Sequence, residues 1–171
     1  MLTDHNEIRE WIIKNTSADS YPAVLPDFIV RLDGVVDIVR GGIEILSVAS
    51  ATIPVQFGNV KGNFRVQYAN IKSLDWLPSY IDRGFLDISI NHTHSLSGID
   101  KVVKHVAGEV FPAAHSTHML GLLLIDGVTH IGSVSSNDPV YRILNRYVGT
   151  GDILSAQDEL IDAGLIDQAR L

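Results

Sequence analysis

Histidine is the side chain of this sequence best suited to chemistry near neutral pH. Seven occur, and four of them form two close pairs, His92/His94 and His115/His118. Neutral imidazoles ligate zinc, nickel and copper. Three or four of them could hold a metal that activates a bound water. His92 stands eight residues after Gly84, and His115 seven after Gly108. In a chain built of repeats the two pairs would fall at nearly the same place in neighbouring units, about 5 Å apart at the spacing of strands. The bland alternative is a set of polar turn residues on a solvated edge. A third reading is a ligand held by hydrogen bonds to these imidazoles.

The other signals for chemistry are weaker. His115-Ser116-Thr117 has the H-x-T form of two-histidine phosphodiesterases, but that mechanism needs a second copy to supply both acid and base. His92-Thr93-His94 breaks the pattern. Cysteine is absent, which excludes disulfides, a thiol nucleophile and thiolate-held zinc or iron–sulfur clusters. No phosphate-binding G-x-x-x-x-G-K-[ST], no G-x-G-x-x-G and no G-x-S-x-G occurs. Gly149-Thr150-Gly151-Asp152, ahead of a helix, could offer amides to an anion, or could be a simple interhelical turn. No pair of carboxylates has a catalytic spacing. The expectation is therefore a protein with no catalytic residues and no cofactor. A metal would enter only through the four paired histidines.

The elements that would position these residues follow from composition and pattern. A chain of 171 residues with 46% hydrophobic and 19% charged residues can bury a core as one domain. The net charge of −7 argues against a nucleic-acid partner, which wants a basic face. The longest apolar run, Met119 to Ile125, is far short of the roughly 20 residues of a spanning helix. The first residues lack the basic start and apolar run of a signal peptide. A cytoplasmic protein with no membrane partner is expected. Asn15-Thr16-Ser17 and Asn91-His92-Thr93 then match the glycosylation pattern by chance.

Asp4 with Glu7 has capping-box spacing, and Ile8, Trp11 and Ile12 make an apolar stripe, so residues 1–17 read as an N-terminal cap helix. Tyr21-Pro22 and Leu25-Pro26 favour an extended connection. Gly41, Gly62, Gly84 and Gly108 are then 21, 22 and 24 residues apart. Short alternating patterns follow the first three: Ile43 and Ile45, Phe64 and Val66, Leu86 and Ile88. A period of 20–29 residues with one short strand each is the mark of a leucine-rich-repeat-like array. The repeat region is set at 41–125. It ends with a strand at Leu122–Ile125 that is apolar on both faces and so buried on both sides. Asn137-Asp138-Pro139 starts a helix that stops at Gly149, and Asp152 caps a second that stops at Gly164. Residues 136–171 read as a C-terminal helical cap.

The fold expected is α/β: a short leucine-rich-repeat-like β-solenoid or ladder, with an N-terminal cap helix and a C-terminal cap of two to three helices. Outward strand positions Glu44, Arg65, Gln67, Asp87 and Ser89 would form one face with mixed charge, suited to protein recognition or to solubility alone. Trp76 and Tyr80, near the Leu77-Pro78 turn, are expected to pack in the core or at an edge and not to serve as binding hot spots. Candidate binding residues are thus Arg65, Gln67, Asp87, Ser89, His92, His94, His115 and His118.

Three segments carry a family resemblance. Ile53-Pro54-Val55-Gln56-Phe57-Gly58-Asn59-Val60-Lys61-Gly62-Asn63-Phe64 is similar to an IP-x-x-FG-x-V-x-G-x-F opening. Ile71-Lys72-Ser73-Leu74 leading to Leu77-Pro78 is similar to an LTSLEGAP unit. Asp152 to Gly164 looks like a recurring tail segment. Together they resemble leucine-rich-repeat-like proteins of tailed bacteriophages, over residues 41–171. His92 and His94 depart from the asparagine and aliphatic residue usual there. The resemblance implies a fold and a phage origin, and no catalytic residues. The leading expectation is a non-catalytic module that binds a host or phage protein, in host takeover or defence inhibition. Alternatives are a protein that sequesters a small molecule or nucleotide signal, and a histidine-metal hydrolase. Self-association through open strand edges is also plausible on this reading.

Overall fold

The computed structural model describes residues 1–18, 25–45, 53–66, 73–89, 91, 95–132 and 138–171. The first element is α1, His5–Asn15. Asp4 caps it as its spacing predicts, its Oδ1 accepting from the amides of Asn6 and Glu7 at 2.8 and 3.0 Å. Ile8 and Ile12, four residues apart, point into the core and are fully buried. The Thr16 hydroxyl donates to Ile12 O at 2.8 Å, closing the helix as β1, Thr16–Ala18, begins.

The strands come in pairs. A hairpin joins β2, Asp27–Val30, to β3, Val36–Arg40. Past β3 the chain turns at Gly41 into β4, Ile43–Ile45. The same move recurs at Gly62, from β5, Phe57–Val60, to β6, Phe64–Val66. At Gly84 it leads from β7, Tyr80–Ile81, to β8, Leu86–Asp87. At Gly108 it leads from β9, His105–Val106, to β10, Glu109–Phe111. The last strand is β11, His130–Ile131. The first member of each pair enters a five-stranded sheet of order β2-β3-β5-β7-β9. The second enters a six-stranded sheet of order β1-β4-β6-β8-β10-β11. Pairing is parallel except between β1 and β4 and between β2 and β3.

Apolar side chains from the two sheets make the core. Ile38, Val60, Ile81 and Val106 come from one, and Ile43, Phe64, Leu86 and Val110 from the other, all fully buried. The glycines sit where neighbouring turns touch. A Cβ on Gly62 would stand 2.5–2.6 Å from Gly41 C, Gly41 O and Gly42 N. One on Gly108 would run into the carbonyl oxygen of Gly84.

The expected leucine-rich-repeat-like solenoid is corrected. The molecule is a mixed α/β fold with two mostly parallel, open sheets. One strand per period on one ladder was expected; each period supplies a strand to each of two sheets. The glycine is the corner between two strands, not the start of a single-strand unit. The strands ahead of the glycines range from five residues in β3 to two in β7 and β9, so no common pattern repeats among them. In β5 an extra residue opposite Val36 to Ile38 also breaks the alternation, so that Phe57 and Val60, three residues apart, are both buried.

The expected strand at Leu122–Ile125 is also corrected. Met119–Leu124 is a 3₁₀ helix. It buries Met119, Leu120 and Leu122 but leaves Leu124 48% exposed. A short apolar run cannot by itself distinguish strand from helix. The tight approach of Gly121 to α2, Ile99–Val102, favours the helical course, since a Cβ there would lie 3.2 Å from Ile99 Cγ2.

The C-terminal helices are α3, Pro139–Tyr147, and α4, Ile153–Asp162. Asp138 caps α3, its Oδ1 accepting from Val140 N at 2.9 Å. The tail returns to the body, with His118 N donating to Asp167 O at 2.9 Å and Met119 N to Gln168 O at 3.0 Å. Ile166 and Leu171 remain exposed. No helix among the described residues is long and apolar enough to cross a membrane.

Asn145 of α3 closes the free edge of β11. Its Oδ1 accepts from Ile131 N, and its Nδ2 donates to Ile131 O, both at 2.8 Å. Nδ2 also donates to Tyr141 O at 2.9 Å, which fixes the side chain on its helix. Asn145→Ala should lower stability by about 1–3 kcal/mol, because it strands partly buried backbone groups. Urea denaturation of the two proteins measures this. An unchanged midpoint would show that water replaces the amide at no loss.

Candidate functional site

Each sheet has an outer face. On the six-stranded sheet, Glu44, Arg65 and Asp87 lie side by side in register on β4, β6 and β8. Arg65 Nε is 3.1 Å from Asp87 Oδ2, and the Arg65 guanidinium lies 5.1 Å from the centre of the Phe85 ring. Asp87 Oδ1 also accepts from the Ser89 amide at 3.0 Å and the Ser89 hydroxyl at 2.6 Å. So Arg65, Asp87 and Ser89 do come together, as the spacing suggests, but they satisfy one another and are half-buried. Gln67 lies outside the described residues.

The histidines divide likewise. His92 and His94 lie outside the described residues. His115 is exposed, and His118 is half-buried; both have left-handed backbones, with φ of 62° and 57°. His118 Nδ1 lies 2.9 Å from Thr117 Oγ1 and 3.1 Å from Ser95 Oγ. Ser95 and Thr117 form a parallel bridge, so the segments that follow Gly84 and Gly108 do run side by side here. Ser95 Oγ also accepts from Ser97 N at 3.2 Å, a local turn bond. Among the described residues no group of three or more His, Asp or Glu could hold a metal. Ser116, inside the H-x-T match, is buried and donates to Ala113 O at 2.8 Å.

Two other sequence signals resolve into structural roles. Asn91, of the glycosylation match, is buried, and its Nδ2 donates to Val66 O and Ile88 O, both at 2.9 Å. At the start of α4, Asp152 Oδ1 accepts from the Ser155 amide at 3.1 Å. Hydrogen bonds from Ser155 hold the Asp152 carboxyl below the ordinary carboxylate range. A carboxylate of this chain thus occupies the helix end, and Gly149-Thr150-Gly151 is part of the interhelical turn that was the other reading of this segment. Nearby, Tyr147 Oη donates to Glu159 Oε2 at 3.0 Å, and that bond pushes the phenol upward.

The five-stranded sheet presents the more open face. Val36, Ile38, Val60, Ile81 and Val106 point inward, so Asp37, Asn59, Tyr80 and His105 point outward. Asn59, Tyr80 and His105 are direct neighbours in register, and His105 bridges on to Asp126. Tyr80 and His105 stack, with ring centres 6.3 Å apart. His105 Nδ1 is 2.9 Å from Asp126 Oδ2. Asp37 Oδ1 accepts from Asn59 N at 2.7 Å. Tyr80 is 45% exposed and Ile29, outward on β2, 53% exposed. Leu32, in the β2–β3 turn, is 99% exposed.

This row lies ahead of each glycine, where no common alternating pattern marks a strand. Asn59, Tyr80 and His105 stand three or four residues ahead of Gly62, Gly84 and Gly108. The same period therefore marks them. Tyr80, expected to pack in the core or at an edge, is instead on the surface, whereas Trp76 is buried as expected. Comparison of the chain with protein-family models, with curated proteins and with solved structures returns no match in any of the three.

Proposed function

We propose that this chain is a non-catalytic binding module whose partner is a protein, held on the outer face of the five-stranded sheet. One observation carries the reading: the exposed row in which Tyr80 stacks on His105 between Asn59 and Asp126, with Ile29 and Val39 exposed on the same side. Tyrosine offers large contact area with a polar tip and little side-chain entropy to lose. Exposed aliphatic side chains beside it supply apolar surface for a partner to cover. The partner chemistry that fits is an apolar protein patch able to hydrogen-bond the Tyr80 hydroxyl and the Asn59 amide. In keeping with the phage resemblance of the sequence, we read the module as an accessory protein and its partner as a host or phage protein.

Cross-linked recovery of partners from infected and uninfected bacterial lysate tests this. The expected result is one stoichiometric partner, bound at least about tenfold more weakly after Tyr80→Ala, the loss typical of a central aromatic contact. Leu154→Ser, at an exposed position on α4, should leave binding unchanged. Equal binding by all three proteins, or no stoichiometric partner, overturns the reading.

A further inference from the structure

The residue ahead of each of the first three period glycines is a cation: Arg40, Lys61 and Arg83. Their strands β3, β5 and β7 are consecutive parallel neighbours. Neighbouring strands lie about 4.8 Å apart, so the three cationic residues fall within about 10 Å along one corner of the molecule. They line a shallow cavity of about 550 Å³ with Val39, Gly41 and Asp82.

The charges there do not balance. Lys61 pairs with Asp82. Arg40 and Arg83 make no ion pair among the described residues, and both are exposed. Asp27 stands opposite Arg40 in the hairpin register without forming one. Among the residues that line the cavity, two arginines and a lysine therefore face one carboxylate, on a chain whose net charge is −7. Like charges gathered on one edge repel, and no packing requires these exposed head groups. Gly41 leaves room above the backbone, for a Cβ there would meet nothing within 4 Å.

We propose that this corner binds a small multiply charged oxyanion of the phosphate type: a phosphate monoester or a pyrophosphate group. Two guanidinium forks can each donate two hydrogen bonds to such a group. A dianion matches the local surplus of positive charge. A nucleic acid fits worse, because it needs a longer run of cations and would meet the acidic remainder of the surface. The site uses none of Asn59, Tyr80, His105 and Asp126 and shares only Val39 with the face proposed to bind protein, so it stands or falls by its two arginines without that reading.

Titration of the full chain with inorganic pyrophosphate at low ionic strength, followed by amide NMR shifts, tests the site. Saturable shifts centred on Gly41, Gly62 and Gly84 are expected, with a Kd of about 1 mM or tighter. Arg40→Gln/Arg83→Gln should weaken binding at least about tenfold, the loss of charge-assisted bonds, with the rest of the spectrum retained. Parallel titrations with AMP and ATP distinguish the source: tighter binding than pyrophosphate means a nucleotide, equal binding the phosphate group alone. Absence of saturable shifts, equal shifts in the double variant, or saturation by a DNA oligonucleotide and not by pyrophosphate overturns the proposal.

Discussion

Gly62→Ala should destabilise the fold by about 3 kcal/mol, the upper range for forcing an extra carbon into a packed site. The reason is the identity of its neighbours. The new Cβ would lie 2.5 Å from Gly41 C and 2.6 Å from Gly41 O and Gly42 N. These are backbone atoms, which cannot rotate aside as a side chain can. They can withdraw only if β4 moves away from β6, and Ile43 N donates to Asn63 O at 2.8 Å right beside the contact. Gly62 does not have a left-handed backbone, so conformational strain adds nothing to the effect. Gly149→Ala is the contrasting case. It has φ of +72° and nothing within 4 Å of a Cβ, so only strain of about 1 kcal/mol applies. Urea midpoints of both variants, at constant denaturant slope, measure the difference. A Gly62 variant no weaker than the Gly149 variant would mean that the turns are not in contact.

Phe64→Ala should cost about 3–5 kcal/mol, as for other fully buried phenylalanines. Phe64 belongs to the six-stranded sheet and Phe57 to the five-stranded one. Their rings meet edge to face with centres 5.1 Å apart, and the Trp76 ring lies 6.2 Å from Phe64 on another side. Removing Phe64 thus opens the seam between the sheets instead of trimming one of them. Trp76 reports on the change, because its near-ultraviolet circular dichroism depends on the rings around it. Loss of stability should be accompanied by loss of that signal at temperatures where the variant is still folded. A cost below about 1 kcal/mol would place the seam elsewhere.

The helices were legible because their ends and faces are signalled locally. Asp4, Asp138 and Asp152 each cap a helix through the side chain that marks them in sequence. The strands after the glycines were legible from alternation, and Ile43, Phe64 and Leu86 do align in register. The strands before the glycines were not. Val36 and Ile38 alternate in β3, but the pattern does not recur: β5 carries an extra residue, and β7 and β9 have only two residues each. The second sheet therefore went unread, and with it the open face. The site reading failed differently. Arg65 and Asp87 were placed on one face, and they share it. Sequence spacing could not show that Asp87 would engage both Arg65 and Ser89. Arg40, Lys61 and Arg83 look scattered along the chain and become neighbours only through strand pairing.

The side-chain amide of Asn145 has a consequence for solution behaviour. A parallel sheet ending in a bare strand is a template for polymerisation, since the next molecule can add where the next strand would go. Asn145 supplies one donor and one acceptor in the place of that missing strand. One residue thereby acts as a chain terminator for fibre growth at this end, with no charged or proline-bearing strand needed to guard it.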